Sequence, residues 1–551
     1  MTNELRTGRL WGALVIMLAA SASGQELVKS GDFNSGTAGW QNQMAAMAGV
    51  QSEWQRTGGR GDTGCIHIKG ESTDRPTCWI WRHALATAPA GKALRISGWV
   101  KGKRVEELAA ICVQGWDAKK MRIVDFATTQ TTSPLAGDFD WTRIETHFTP
   151  SSETREVHIL IFITGAGEAW FDDISAVPME MAEASAASGQ PSPGLFEARG
   201  AYKLTASGRV AQPTILIPLP ISYREQVPLT YTLFTKPADK LARARVYRDQ
   251  PTNCVADVVL KTLEAGDVLE LQWASIVLCG PRSFDDVPKQ AALPEQWPKN
   301  ARPWLRSTRC VQADDERITT VAYEIRGDDA DVLEIIDATL ARTRKIYADQ
   351  KGRCSNLDAV QALDKQGSCT SCANLVAALL RANNIPARIL AGYPTGGAPL
   401  QTHYIVEAYV PDYGWYPIES TILRAPWAPY QQVEVAIVPP EYEDRSEHRP
   451  FVAGGVPYLS LTERPGAGAF MMTGTIDETR SCDHAARLWR AFPPDAPAAD
   501  WERATTRAQA RWRAWVDSPP ALNTQHRLAT PLTADALEAT NPAELAKLLA
   551  D

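Results

Sequence analysis

The chain has 551 residues, 22% of them charged, and it is too long for one hydrophobic core, so several units of roughly 100–200 residues each are expected. Its net charge of −7 argues against nucleic acid as the main partner. Ten cysteines are too few for a disulfide-built scaffold of this length; for individual pairing, Cys65 and Cys78 are the first pair to test.

In chain order, Arg6 and Arg9 precede an apolar run from Leu10 to Ala20 and then small residues, the layout of a secretory signal over residues 1–24. An uncleaved anchor is the alternative, but the run is short for a bilayer crossing. Losing residues 1–24 removes one acid and two bases, which turns −7 into −8. No later run reaches 18 apolar residues, so the expectation is a secreted or periplasmic protein with no stable membrane insertion.

Residues 25–180 hold short runs of strand composition between turn residues, such as "LRISGWVKG", "TRIETHFTP" and "EVHILIFITGAGEAWFDDISAV", which predict an all-β sandwich. Trp79, Trp81 and Trp116 are candidates for a sugar-stacking platform, since aromatic rings bind the apolar faces of pyranoses; core or rim packing is the alternative. The end segments "LVKSGDFNSGTAGW" and "AWFDDISAV" resemble those of a jelly-roll carbohydrate-binding module. That resemblance implies a polysaccharide or cell-wall glycan partner and a structural calcium held by Asp32, Asp172 and Asp173, with solvated turn carboxylates as the alternative.

Residues 181–199, rich in Ala, Ser, Gly and Pro, read as a linker, and 200–310 as a second β-rich domain whose prolines suit edges and turns. From Asp331 the period turns helical, with Val332, Ile335, Ile336, Leu340 and Ile346 on one stripe of a domain spanning 311–440. The extension 441–551 reads as largely helical. Asn541, Pro542 and Glu544 form a helix start, and Trp501, Trp512 and Trp515 are expected to pack the tail onto the body.

The chemistry concentrates in "KQGSCTSCANLVAALLRANNIPARILAGY". Cys372, Leu375, Val376, Leu379 and Leu380 follow helical spacing, which places Cys372 on a buried stripe. Cys369 lies one turn earlier at the helix start, where Thr370 or Ser371 is expected to cap and the helix dipole favours a thiolate. Gly367 lets the incoming backbone approach closely.

A cysteine nucleophile needs a base and an orienting group, and "THYIVEAYVPDYGWYPIEST" offers His403 and Glu419 on a predicted hairpin. An odd number of loop residues would put both on one face, and an even number would separate them. Other readings of the cysteines are a Cys-x-x-Cys redox pair, a Cys369–Cys372 disulfide, and a zinc site completed by Cys354 and His403.

These two stretches together resemble the core of the transglutaminase-like superfamily, through Gly367, Cys369, Ala373, Ile385 to Arg388, His403, Gly414, Trp415 and Glu419. The resemblance implies a papain-like α+β core with Cys369 as nucleophile, His403 as base and acid, and Glu419 as orienting group. It further implies that catalysis requires no cofactor and that the substrate is a protein or peptide amide. Two departures stand out: Glu419, Ser420 and Thr421 replace the family's Asp, Pro and Thr, and the usual oxyanion-hole side chain has no counterpart by spacing, leaving the Cys369 backbone N–H. The alternative function is a catalytically inactive transglutaminase fold serving binding or adhesion.

Overall fold

The computed structural model describes most of residues 26–443, and beyond them 476–491, 498–517 and 527–529. Residues 1–25, 444–475, 492–497, 518–526 and 530–551 lie outside the description, as do shorter stretches that include 44–49, 71–77, 86–91, 180–193, 395–402 and 428–431. The predicted signal segment and the Asn541 helix start therefore fall outside the described residues.

The first domain is a jelly-roll-like sandwich of nine strands: β1 Trp40–Asn42, β2 Val50–Gln55, β3 Cys65–Gly70, β4 Cys78–Leu85, β5 Ala93–Trp116, β6 Ile123–Thr128, β7 Leu135–Phe148, β8 Glu156–Thr164 and β9 Gly167–Met179. The long β5 serves both layers. Its first part pairs with β7 and β9, and its second with β8 and β6. Strand alternation sends Ile159, Ile161 and Ile163 between the layers to meet Ile111, Val113, Ile96 and Phe171. Each such fully buried side chain stabilises the fold by about 1.5–3 kcal/mol.

The second domain holds β10 Gly194–Ala206, β11 Thr214–Leu219, β12 Gln226–Pro228, β13 Tyr231–Lys236, β14 Leu241–Asp249, β15 Asn253–Leu260 and β16 Val268–Cys279. Because β10 begins at Gly194, the predicted linker 181–199 runs too far: its last six residues are strand, paired with β16.

The core domain follows, with helices α1 Glu316–Arg326, α2 Val332–Asp349 and α3 Cys369–Ala382. Its antiparallel sheet has the order β19 Gly414–Ile418, β18 His403–Val410, β17 Ala387–Pro394, β20 Gln432–Val438. Asp331 and Glu334 close a reciprocal capping box at the start of α2. Helix α3 is buried from Thr370 to Arg381, more than the single stripe its periodicity predicts, because α1, α2, β17 and β18 all pack around it. Arg381 near its C-terminus is fixed by paired hydrogen bonds to Glu443, 2.7 and 2.8 Å.

Beyond the core, the described residues of the extension hold strand as well as helix. Helix α4 Ala498–Asp517 is present, but strand β21 Ile476–Ala491 precedes it and the short β22 Arg527–Ala529 follows. Both strands join the second domain's sheet, in the order β21-β10-β16-β13-β22, so strand pairing overrides local helix propensity there. Trp512 packs as expected, buried and donating to the Tyr231 hydroxyl at 2.9 Å, whereas the side chains of Trp501 and Trp515 lie outside the described residues.

The second domain and the core are joined along β20. Side-chain amides stand in for a neighbouring strand there: Gln226 bonds both backbone groups of Glu434 at 2.8 Å, and Asn253 bonds those of Ile437 at 2.8 and 3.0 Å. An edge strand that would otherwise leave buried peptide groups unpaired is thereby satisfied.

Candidate active site

Cys369 is the first residue of α3, partly exposed, with Ser368 as the N-cap. The cap differs from the expectation. Neither Thr370 nor Ser371 caps, and the Ser368 side chain makes no capping bond; its carbonyl instead receives Cys372 N–H at 3.0 Å and Ser371 Oγ at 3.1 Å. This accounts for Gly367, since a Cβ added there would lie 1.8 Å from Ser371 Oγ. Cys372 is buried on the core side, as helical phase predicts, and neither cysteine is in a disulfide.

The hairpin decides the parity question. Val410 pairs with Gly414, so three residues form the loop, and Glu419 falls on the same face as His403, diagonally across the ladder. His403 Nε2 hydrogen-bonds Glu419 Oε2, and the Cys369 thiol hydrogen-bonds the same imidazole. With Nε2 committed to the carboxylate, Nδ1 is the nitrogen left for the thiol.

Burial works against an imidazolium at His403, but the charge of Glu419 and the hydrogen bonds that a protonated ring donates to Cys369 sulfur and to Glu419 outweigh it. The ring is held well above the ordinary histidine value of 6.5. Its side chain stays 24% exposed, which leaves a path to solvent, while Glu419 is almost enclosed at 4%.

The longer glutamate is accommodated by what surrounds it. Its other oxygen accepts the Thr421 N–H at 2.8 Å, and its backbone closes a tight turn with Arg424 through bonds of 2.8 and 3.0 Å. Helix α2 holds that turn from behind: Tyr347 Oη donates to the Ser420 carbonyl at 3.0 Å and Arg344 to the Leu423 carbonyl at 3.1 Å. The carboxylate is thus fixed by a turn braced on a helix, which the sequence did not reveal.

A second polar group on the sheet was also missed. Arg388 of β17 pairs with Glu407 of β18 at 2.8 and 2.9 Å, Tyr223 donates to the same carboxylate at 2.6 Å, and Trp415 stacks 3.9 Å beneath the Arg388 guanidinium. Trp415, one of the residues carrying the family resemblance, therefore covers a buried ion pair.

The other cysteine readings find less support. Cys354 directs its thiol to the Lys365 carbonyl at 3.1 Å, and among the described residues no group of three or more His, Cys, Asp or Glu is placed to hold a metal. Asp172 of the first domain is fully buried and its oxygens face donors: the Arg60 and Asp173 N–H groups at 2.8 and 2.7 Å and the Thr63 hydroxyl at 3.0 Å. Asp173 pairs with Arg60 and Asp32 bonds Asn34, so the three acids are not gathered around a cation. Cys65, the other half of the pair to test, is buried and in no disulfide, and the side chain of Cys78 lies outside the described residues.

Trp81 and Trp116, the two platform candidates whose side chains are described, do not share a face. Trp81 lies opposite Ile161 on the face that packs between the layers and is 7% exposed. Trp116 lies opposite Glu156, on the outer face, where its ring meets His158 at 5.4 Å. Strand parity therefore puts the two on opposite sides of one sheet. The side chain of Trp79 lies outside the described residues.

Residues 319–420 match the model of the transglutaminase-like superfamily. The core is a transglutaminase-like domain. Its match spans the thiol, the imidazole and the carboxylate, which supports a cysteine-dependent enzyme in broad terms. A crystal structure described as a candidate cysteine protease from Cytophaga hutchinsonii is 19% identical, covering 46% of this chain and 84% of that one at a TM-score of 0.36. The xylan-binding domain of a Paenibacillus barcinonensis protein is 16% identical, over 29% of this chain and 99% of that one at 0.22. A family 11 carbohydrate-binding module of a Clostridium thermocellum cellulase is 15% identical, over 29% and 98% at 0.22. None of the curated proteins compared matches the chain.

Proposed function

We propose that the protein is an exported thiol enzyme that cleaves or transfers an amide through a thioester on Cys369. The observation that carries this reading is the imidazole of His403, bonded to Glu419 on one side and to the Cys369 thiol on the other. Proton transfer from Sγ to the imidazole makes the thiolate, which attacks the amide carbonyl. The oxyanion develops beside the first turn of α3, whose N–H groups have no intrahelical acceptor and whose dipole favours negative charge. His403 returns the proton to the leaving amine, and water or a second amine then releases the acyl group. Residues 1–24 would direct export, and the jelly-roll-like domain would bring the enzyme to a polysaccharide or cell-wall glycan.

The test is labelling with iodoacetamide at pH 6 to 7, followed by mass mapping and turnover of a peptide-amide library. The expected result is selective labelling of Cys369 among the ten cysteines, with turnover lost in parallel. Glu419→Gln is expected to lower turnover by about 10²-fold, because the imidazole loses its orienting charge. A thiol that stays inert in folded, reduced protein would instead favour a binding or adhesion role.

A further inference from the structure

We propose that Glu434 is a positioning residue for the imidazole of His403, a second carboxyl that sustains the imidazolium from the side opposite Glu419. This rests on the catalytic reading of Cys369, His403 and Glu419. Three strands place it: Gly392 of β17 lies directly opposite His403 on β18 and directly opposite Glu434 on β20. Residues so paired point to one face of a sheet, so His403 and Glu434 flank a position that has no side chain.

The gap is shaped by Gln432. A Cβ added to Gly392 would lie 2.5 Å from Gln432 Cγ and 2.7 Å from its Nε2, so this amide lies over the glycine beside the imidazole. Its Nε2 donates to Glu434 Oε2 at 3.0 Å, and both side chains are buried, 1% and 2% exposed. The backbone of Glu434 is pinned by Gln226, so the carboxyl is held by the second domain as well as by the sheet.

Three charged groups act on Glu434, beside burial and the Gln432 amide. Burial disfavours its anion most, Gln432 relieves part of that, Glu407 of β18 adds repulsion, and His403 and Arg388 favour the anion. Glu225, just ahead of β12, and Glu434 both act on Cys279 at the end of β16, where burial already holds the thiol neutral. Arg224 is turned towards Glu407, 3.6 Å away. The net result pushes the Glu434 carboxyl up to about 8, so it is neutral in weak acid and charged above that, while His403 is itself held well above its ordinary value.

The consequence has a sign. Below about 8 the wild type and an isosteric neutral variant present the same charge to His403; above it only the wild type adds an anion, which holds the ring proton to higher pH. The experiment follows the His403 ring by ¹⁵N NMR titration in the full chain, with its signal assigned among the eight histidines by loss in His403→Gln. Glu434→Gln is expected to weaken proton binding at His403 by about 3- to 10-fold, a downward shift of roughly half to one pH unit. Labelling of Cys369 by iodoacetamide at pH 6 should stay within about two-fold of wild type, since Glu434 is neutral there. Glu434→Asp, which keeps the charge, should restore the midpoint.

An unchanged midpoint in Glu434→Gln, or equal loss in both variants, would overturn the proposal and leave Glu434 a packing residue. The titration is read whether or not the enzyme turns over. An inert Cys369 would therefore defeat the catalytic reading without touching the measured coupling, and active Cys369 with an unchanged midpoint would do the reverse.

Discussion

The first domain and the core each bury a carboxyl, and they treat it in opposite ways. Asp172 is fully enclosed but receives two backbone N–H groups and a hydroxyl, which ties the segment around Arg60 and Thr63 to β9. Glu434 is almost as deeply buried but receives one side-chain bond, from the neutral amide of Gln432, and shares a sheet face with an imidazole across a glycine that this amide covers. A carboxylate surrounded by fixed donors acts as a structural tie, whereas one given few donors beside a titrating partner is left poised to change charge. The same contrast holds for whole sheets. The sandwich centres on an apolar cluster and distributes its buried polar groups, such as His83, His158 and Asp172, around it, while one face of the core sheet carries His403, Glu407, Arg388 and Glu434 together. Burying that much charge costs stability, a pattern that recurs at sites of chemistry.

The sharpest way to break this comparison is to remove the group the core's polar face would serve. Cys369→Ala should lower amide turnover by about 10⁴-fold with the fold intact. Cys372→Ala, on the buried side of the same helix, should leave turnover within a few-fold and cost about 1 kcal/mol in urea unfolding. Equal loss from both would return the pair to a redox role.

The next largest effect is the dependence of stability on pH. Glu434 binds its proton more tightly in the folded state, about 8 against the ordinary 4.5, so its contribution is fully present below 4.5 and is lost as pH rises towards 8. Glu434→Gln removes that slope. Relative to wild type it should gain on the order of 4 kcal/mol between pH 4 and pH 9, read as the change in unfolding free energy of the core. A flat difference across that range would place Glu434 with Asp172, as a structural tie.

Arg388→Met tests whether the rest of the polar face is held by pairing. It leaves Glu407 buried at 1% exposure without its main partner and removes the cation from beneath Trp415, which should cost about 3–5 kcal/mol in thermal or urea unfolding. Replacing Arg388 and Glu407 together by apolar residues of similar size should recover much of that loss.

How far these features could be read from the sequence follows from their range. Helical phase alone separated Cys369 from Cys372, because both lie on one element whose period is fixed. His403 and Glu419 were legible up to a parity, and the three-residue loop from Pro411 to Tyr413 supplied it. Trp81 and Trp116 could not be assigned to faces, because that depends on the register of β4 and β5 against β8, set by residues far along the chain. Glu434 was invisible for the same reason: "QVEVAIV" is plain strand composition, and only pairing through Gly392 brings it beside His403.

Asp172 gives the smallest and most discriminating test of the comparison. Burial raises its carboxyl above the ordinary 3.8, while the Arg60, Asp173 and Thr63 donors pull the other way. The side chain accepts from all three donors. Asp172→Asn keeps the shape but turns one acceptor oxygen into an NH₂ group, which would face N–H or O–H donors wherever it points, so one buried bond becomes a donor–donor clash. The expected cost is about 1–3 kcal/mol, read in urea unfolding. A variant as stable as the wild type would mean the three donors do not hold Asp172, and the distinction between a donor-locked acid and a poised one would fail.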